Sequence, residues 1–202
     1  MPQQLDKLEL ERCPYCGVAK PHLTTNTAFI THGHSGQNPR FWKTYVCASC
    51  GGVVLTAARG QSQNLPIDEM YPSARQVSEY VPERARSYLN QAMGSLSAPS
   101  GAIMLAASAI DAMLKAKKLE VGNLKRRIDE AAESHLITEG MAQWAHAVRL
   151  EANEERHADK ESALPTEEDA RNTLDFSLAL AEFLFVLPER VKAGRKAAET
   201  AG

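Results

Sequence analysis

Aromatic residues make up only 6% of this chain, and cysteine is scarcer still, with four among 202 residues. No run approaches the roughly 20 apolar residues that a membrane-spanning helix requires, and no basic-then-apolar signal segment opens the chain. The expectation is a cytoplasmic protein without a membrane partner. A Gly-rich phosphate loop, a Ser-His-Asp arrangement and a carboxylate pair are all missing, which removes the usual signatures of nucleotide-hydrolysing, acyl-transfer and two-carboxylate enzymes. Internal repeats and low-complexity tracts are absent too. There is no broad excess of positive charge: the formal net charge is −2, with six Lys/Arg against three Asp/Glu in residues 1–60 and seventeen against twenty-two in the remainder. The N-terminal part can therefore meet a nucleic acid, whereas a polyanion bound by the larger part needs a local cationic cluster.

The few cysteines are all in one pattern. CPYC places Cys13 and Cys16 on one knuckle, and CASC places Cys47 and Cys50 on a second. A CxxC turn directs two thiolates at one ion, and two such turns complete a tetrahedral four-sulfur set, the arrangement of structural zinc sites closed to water. Gly17, Gly51 and Gly52 follow the knuckles and suit the positive φ angles that such turns need. Two redox or disulfide pairs are the alternative, though no thioredoxin-like βαβ pattern surrounds them. The long insert between the knuckles holds His22, His32 and His34, any one of which can replace a cysteine as ligand. Reduced thiols serving a metal accord with the cytoplasm.

The pattern changes near residue 65. FWKTYV (41–46) and VVLT (53–56) flank the second knuckle as ribbon strands, so residues 1–63 form the zinc ribbon and the Pro-marked stretch 64–81 a linker. From residue 82 to 190 the periodicity is helical. Helices are expected from Pro82 to Leu96, through the apolar run after Pro99, after a cap at Asn123, from Thr138 to His157, and from a capping box at Thr166–Asp169 until Pro188 halts the last. Residues 191–202 form a basic flexible tail. The expected fold class is mostly α: a small N-terminal four-cysteine zinc ribbon (β) followed by an antiparallel α-helical bundle. Trp144, Phe176, Phe183 and Phe185 read as core or interface anchors. Their density near FLFVLP hints at a dimer seam, and Lys125, Arg126 and Arg127 read as a solvated helix face.

One helix looks like chemistry. In WAHAVRLEANEERHAD (144–159), His146, Arg149, Asn153, Arg156 and His157 fall within an arc of about 100° at helical spacing. Metal-free cleavage of a phosphodiester needs a group that moves protons near neutral pH, which histidine supplies. It also needs a cation for the charge that builds on phosphorus, which arginine supplies. The bland alternative is a helix whose polar residues cap loops and pair with carboxylates. Asp111, in the most apolar helix, bears on the choice: a buried carboxylate needs a partner, and both Arg149 and Arg127 are candidates.

The stretches YLNQAMGSLSAP, IMLAASAIDAMLKAKK, LKRRIDEAAESHLIT, WAHAVRLEANEERHAD and FLFVLPERV, all within residues 80–190, resemble a prokaryotic domain family of unknown function related to the HEPN superfamily. With the ribbon, nearly the whole chain looks like a zinc-ribbon member of that family. The resemblance implies a HEPN-like helical domain that dimerises. It also implies a metal-independent endoribonuclease of the kind found in toxin, phage-defence and RNA-processing systems, or a relative that only binds. The family motif places four to six residues between an arginine and a histidine, often with a polar residue behind the arginine. By resemblance, Arg149, Asn153 and His157 take those roles, although seven residues separate the outer two here. The implied reaction is attack of an RNA 2′-hydroxyl on phosphorus to give a cyclic phosphate, with His157 moving protons, Arg149 stabilising the phosphorane and Asn153 orienting the phosphate. The alternative is a non-catalytic RNA- or protein-binding scaffold that dimerises through its helical domain.

Overall fold

The computed structural model describes residues 3–73, 77–157 and 163–200, with the backbone alone at 154–157 and 200. The chain divides into two compact units, Met1–Arg75 and Gln76–Gly202.

The first unit is an antiparallel meander of five strands: β1 (Lys7–Leu8), β2 (Leu23–Thr31), β3 (Arg40–Cys47), β4 (Val53–Arg59) and β5 (Glu69–Tyr71). Alternation along β3 sets its faces. Phe41, Lys43, Tyr45 and Cys47 are buried, while Arg40, Trp42, Thr44 and Val46 face outward. Register carries the pattern across: Tyr45 stands opposite Val54 on β4, and Leu23 of β2 stands opposite Cys47. Those four residues with Leu8 and Cys13 form the small core. Residues 3–6 run along the inner face. There Gln4 donates to the Phe41 carbonyl and the Thr56 hydroxyl, and Tyr45 donates its phenol to the Leu5 carbonyl at 2.9 Å.

The second unit packs around α2 (Pro99–Ala116), which meets α1 (Glu83–Met93), α3 (Leu124–Glu133), α4 (Glu139–His157) and α5 (Glu167–Ala181). Alanines at 102, 106, 107 and 109 let neighbours approach α2 closely, while Ile103, Ile110, Met113 and Leu114 fill the space between. Each fully buried Leu or Ile here contributes about 2 kcal/mol relative to exposure. Local signals start the helices where expected. The Asn123 side chain accepts from the Arg126 N–H, and Thr166 and Asp169 form a reciprocal capping box.

Several expectations are overturned. The N-terminal part is a five-stranded curled sheet extending to Tyr71, not a small ribbon, and the chain as a whole is not a small ribbon joined to an antiparallel helical bundle. The sheet is larger because β2 runs through the histidine-containing insert, and β1 and β5 flank the hairpins. Pro188 does not end the last helix: a π-helical stretch at Glu182–Val186 leads into α6 (Leu187–Thr200). The Leu187 N–H reaches back to Glu182, and this widened turn eases the clash a proline ring makes with the preceding turn. Residues 191–200 are therefore helical. Arg127 is buried rather than part of a solvated face. Trp144 is 48% exposed and Phe183 is also exposed, whereas Phe176 is buried and packs on Trp144 at 4.7 Å.

Candidate functional site

Both cysteine knuckles fold by the same local rule. The Cys13 N–H donates to the Val18 carbonyl and the Gly17 N–H donates back to the Cys13 carbonyl. The Cys47 N–H donates to Gly52 and the Gly51 N–H returns to Cys47. Gly17 and Gly51 each have φ near +72°, so the left-handed position falls at the residue after each second cysteine. The second knuckle is the β3–β4 hairpin turn, which is why its two cysteines are delivered beside the sheet core.

The four sulfurs lie within 4.8 Å of one another, with Cys13 and Cys50 3.9 Å apart, and all four thiols are free. A tetrahedral four-sulfur site with metal–sulfur bonds of about 2.3 Å has sulfurs about 3.8 Å apart, so the residues present fit a metal ion. Among the described residues no histidine joins the set. His32 sits beyond the far end of β2, next to Gln61, and His22 lends its carbonyl to Ala48.

Burial and the knuckle amides pull the thiols in opposite directions. Burial pushes the Cys13 thiol up to about 12, against the pull of the Cys16 and Tyr15 amides. Burial also opposes ionisation of Cys47, but the Cys50 and Ser49 amides and the neighbouring thiols overcome it and leave Cys47 at about 7. Burial raises Cys50 as well. The Gly52 N–H points at the Cys50 sulfur at 3.4 Å. Amides at matching positions of each knuckle thus supply partial positive charge to the sulfurs.

A residue that is not itself a cysteine joins the knuckles. Tyr15 lies across Gly52 so closely that a Cβ there would meet its ring at 2.6 Å, and its phenol donates to the Val53 carbonyl at 3.0 Å. The signal was present in the sequence as the aromatic within the first CxxC and the second glycine after the other.

On α4 the pieces are only partly assembled. Arg149 is half-buried, and its Nε is sealed from solvent with no hydrogen-bond partner among the described residues. Asp111 pairs instead with Arg127 at 2.7 Å and with Lys115 at 2.6 Å. Asn153 lies one turn on and is exposed, sharing a helix face with Arg149. His157 ends the helix, and its side chain lies outside the described residues. His146 on the same arc meets Asp129 at 2.9 Å. Lys125 first, and then His146, holds that carboxyl below the usual aspartate range.

A family profile matches residues 90–197, from the end of α1 into α6, and is described as a domain of unknown function, DUF4145. The chain belongs to the DUF4145 family. No match is found among curated proteins or solved structures. The DUF4145 region contains Arg149, Asn153 and His157 and excludes all four cysteines, so the possible metal-binding site is built by sequence outside it. No helix among the described residues is long and apolar enough to cross a membrane.

Proposed function

We propose that this DUF4145 protein is a cytoplasmic, metal-independent endoribonuclease of the HEPN kind, whose N-terminal unit is stabilised by a structural zinc ion. Cys13, Cys16, Cys47 and Cys50 hold the zinc, which closes the unit and takes no part in cleavage. The observation that carries the nuclease reading is Arg149: among the described residues its guanidinium is left outside the charge pairing of the helical unit, because Asp111 is taken by Arg127 and Lys115. A half-buried cation so placed, on an arc shared with Asn153 and His157, is suited to a phosphate.

In the reaction the 2′-hydroxyl attacks the adjacent phosphorus while His157 takes its proton. The bond to the 5′-oxygen breaks, that oxygen receives a proton, and the products are a 2′,3′-cyclic phosphate and a 5′-hydroxyl. Arg149 stabilises the phosphorane and Asn153 orients the phosphate. DNA, which lacks the attacking hydroxyl, is not cut. A dimer would set two such helices about one scissile bond. The test is cleavage of mixed cellular RNA in EDTA by the purified chain, with folding checked in the same buffer. Activity lost in His157→Ala and Arg149→Gln supports the assignment, and undiminished activity in His157→Ala refutes it.

A second reading, a non-catalytic protein-binding scaffold, is favoured by a groove of about 740 Å³ whose lining includes Leu136, Phe183, Leu187 and Val191. Two of those residues, Leu187 and Val191, stand exposed on α6. Its test is the oligomeric state of Val191→Glu against the parent chain. A shift from dimer to monomer supports it.

A further inference from the structure

We propose that the outer face of the five-stranded sheet is a base-stacking platform for single-stranded RNA. Register puts its side chains in rows. Thr31, Arg40 and Arg59 form one row, and Phe29, Trp42, Ala57 and Glu69 form the next. Thr27, Thr44, Leu55 and Tyr71 form the third. The face is thus an arginine row beside an aromatic one, separated by two residues of strand, about 7 Å.

The aromatic row is unusual for an exposed surface in a chain so poor in aromatics. Phe29 and Trp42 stack with centroids 6.2 Å apart and planes within 10° of parallel, and Phe29 is 46% exposed. Trp42 is held in place by its indole N–H, which donates to the Thr31 hydroxyl at 2.7 Å. Arg40 lies 5.0 Å from the Trp42 ring centroid. Tyr71, in the next row, is exposed, and its phenol donates to Glu69 at 2.6 Å. An exposed Phe29 ring beside a half-buried, hydrogen-bonded Trp42 is a surface on which unpaired bases can stack, because every base has a π-face and little ordering is needed.

The arginine row specifies the charge of the occupant. Arg40 and Arg59 stand directly opposite on neighbouring strands, an arrangement that like charges make unfavourable. Glu69 pairs with Arg40 and its charge also reaches Arg59, whose backbone N–H donates to the Asp68 carboxylate, but no ion pair of the Arg59 guanidinium is found among the described residues. A phosphate beside Arg59 adds to the partial relief that Glu69 gives. An apolar protein partner would meet this row of cations, whereas a polynucleotide answers both rows at once. The choice of RNA over DNA rests on the ribonuclease reading; the platform does not.

The experiment uses the full-length chain carrying His157→Ala, so that RNA is not consumed, and Trp144→Phe, so that Trp42 is its sole tryptophan. A fluorescein-labelled single-stranded oligouridylate is titrated while Trp42 emission and label anisotropy are followed. The expected result is quenching of Trp42 on binding. Phe29→Ala, which removes an exposed ring, weakens binding about tenfold. Arg59→Ala flattens the dependence of log K on log salt by about 0.7. Binding that leaves Trp42 unquenched overturns the proposal, as does no binding or full-strength binding by both Phe29→Ala and Arg59→Ala. Oligodeoxyuridylate held as tightly as the RNA overturns the assignment to RNA. A wild-type chain that binds through Trp42 and never cuts would refute the nuclease reading and leave the platform standing.

Discussion

Arg127 on α3 reaches Asp111 on α2 at 2.7 Å and also donates to the carbonyls of Glu120 and Gly122, so one guanidinium pins both helices and the turn between them. Its side chain is only 9% exposed. Arg127→Ala removes all three contacts and is expected to cost about 3 kcal/mol. Asp111→Ala leaves the buried guanidinium with its two carbonyl contacts but no carboxylate, and also breaks the Lys115 pair, so it is expected to cost about as much. Urea titration followed at Trp144, the tryptophan of the helical unit, measures both. A cost below about 1 kcal/mol for Asp111→Ala would show that the carbonyl contacts alone hold the guanidinium.

The metal centre makes a stoichiometric prediction. If the four cysteines hold zinc as proposed, elemental analysis of the purified chain is expected to find one zinc per molecule, and Cys47→Ser is expected to lose it. Chelation is expected to unfold the sheet unit, seen at Trp42, while the Trp144 signal of a Trp42→Phe chain persists. Because thiolates bind metal and protons compete for them, zinc is released as pH falls.

Gly52→Ala should weaken that site without touching a ligand. The added methyl drives into the Tyr15 ring, and the knuckles must part to admit it. A several-fold faster transfer of zinc to a chromophoric chelator is expected, and Tyr15→Ala in the same chain should recover part of the loss. Unchanged transfer in Gly52→Ala would show that the Tyr15 contact does not hold the knuckles together.

Lys43 tests which of two contacts matters. Its side chain is buried in the sheet, donating to the Leu5 carbonyl at 3.0 Å and to the Asp6 carboxylate at 3.2 Å, yet Asp6 is 97% exposed. An exposed carboxylate is worth little to the pair, whereas the buried ammonium also serves the Gln4 and Leu5 carbonyls, the second shared with the Tyr45 phenol. Asp6→Ala is expected to change stability by less than about 0.5 kcal/mol, and Lys43→Ala to cost about 2 kcal/mol. The comparison is made by thermal unfolding at several salt concentrations, and only the small Asp6 effect should fade with salt.

The capping box of α5 gives a pH dependence. The Thr166 N–H first, and then its hydroxyl, holds the Asp169 carboxyl below the usual aspartate range. A depressed folded value means that the stabilisation is complete above the ordinary value, near about 4, and is lost as pH falls through the lower folded one. Amide-exchange protection at the start of α5 should fall over that window. Asp169→Asn should abolish the dependence, and Thr166→Ala should cost about 1 kcal/mol throughout.

Residues with a single local job were legible in the sequence. Asn123 and Thr166 cap because a short polar side chain reaches an unpaired N–H wherever a helix starts, and the knuckles need only spacing and glycine. The sheet was less legible. β2 reads LTTNTAFIT and is exposed on both faces after Leu23, so it has no alternation to detect, and β5 is three residues between prolines. A proline reads as a helix stop, and nothing in the sequence pattern signals the π-helical turn at Glu182–Val186 that lets the helix run on past Pro188. Choosing between Arg127 and Arg149 for Asp111 required tertiary geometry, since both lie at plausible helical positions. The aromatic face is hidden for another reason: Phe29 lies in β2, which has no alternation to detect, so the sequence shows Trp42 no partner.

The two knuckles bracket thirty residues, from Gly17 to Val46, and those residues contain all of β2 and nearly all of β3. An ion joining Cys16 to Cys47 shortens the unfolded chain's conformational freedom as a covalent cross-link does, by an amount on the order of 3 kcal/mol for a loop of that length. Much of the clasp's stabilisation is therefore exerted on the disordered ensemble. An ion bound during synthesis would narrow the search for the β2–β3 pairing before any strand has formed, so a metal held there would set how fast this unit is made as well as how long it lasts.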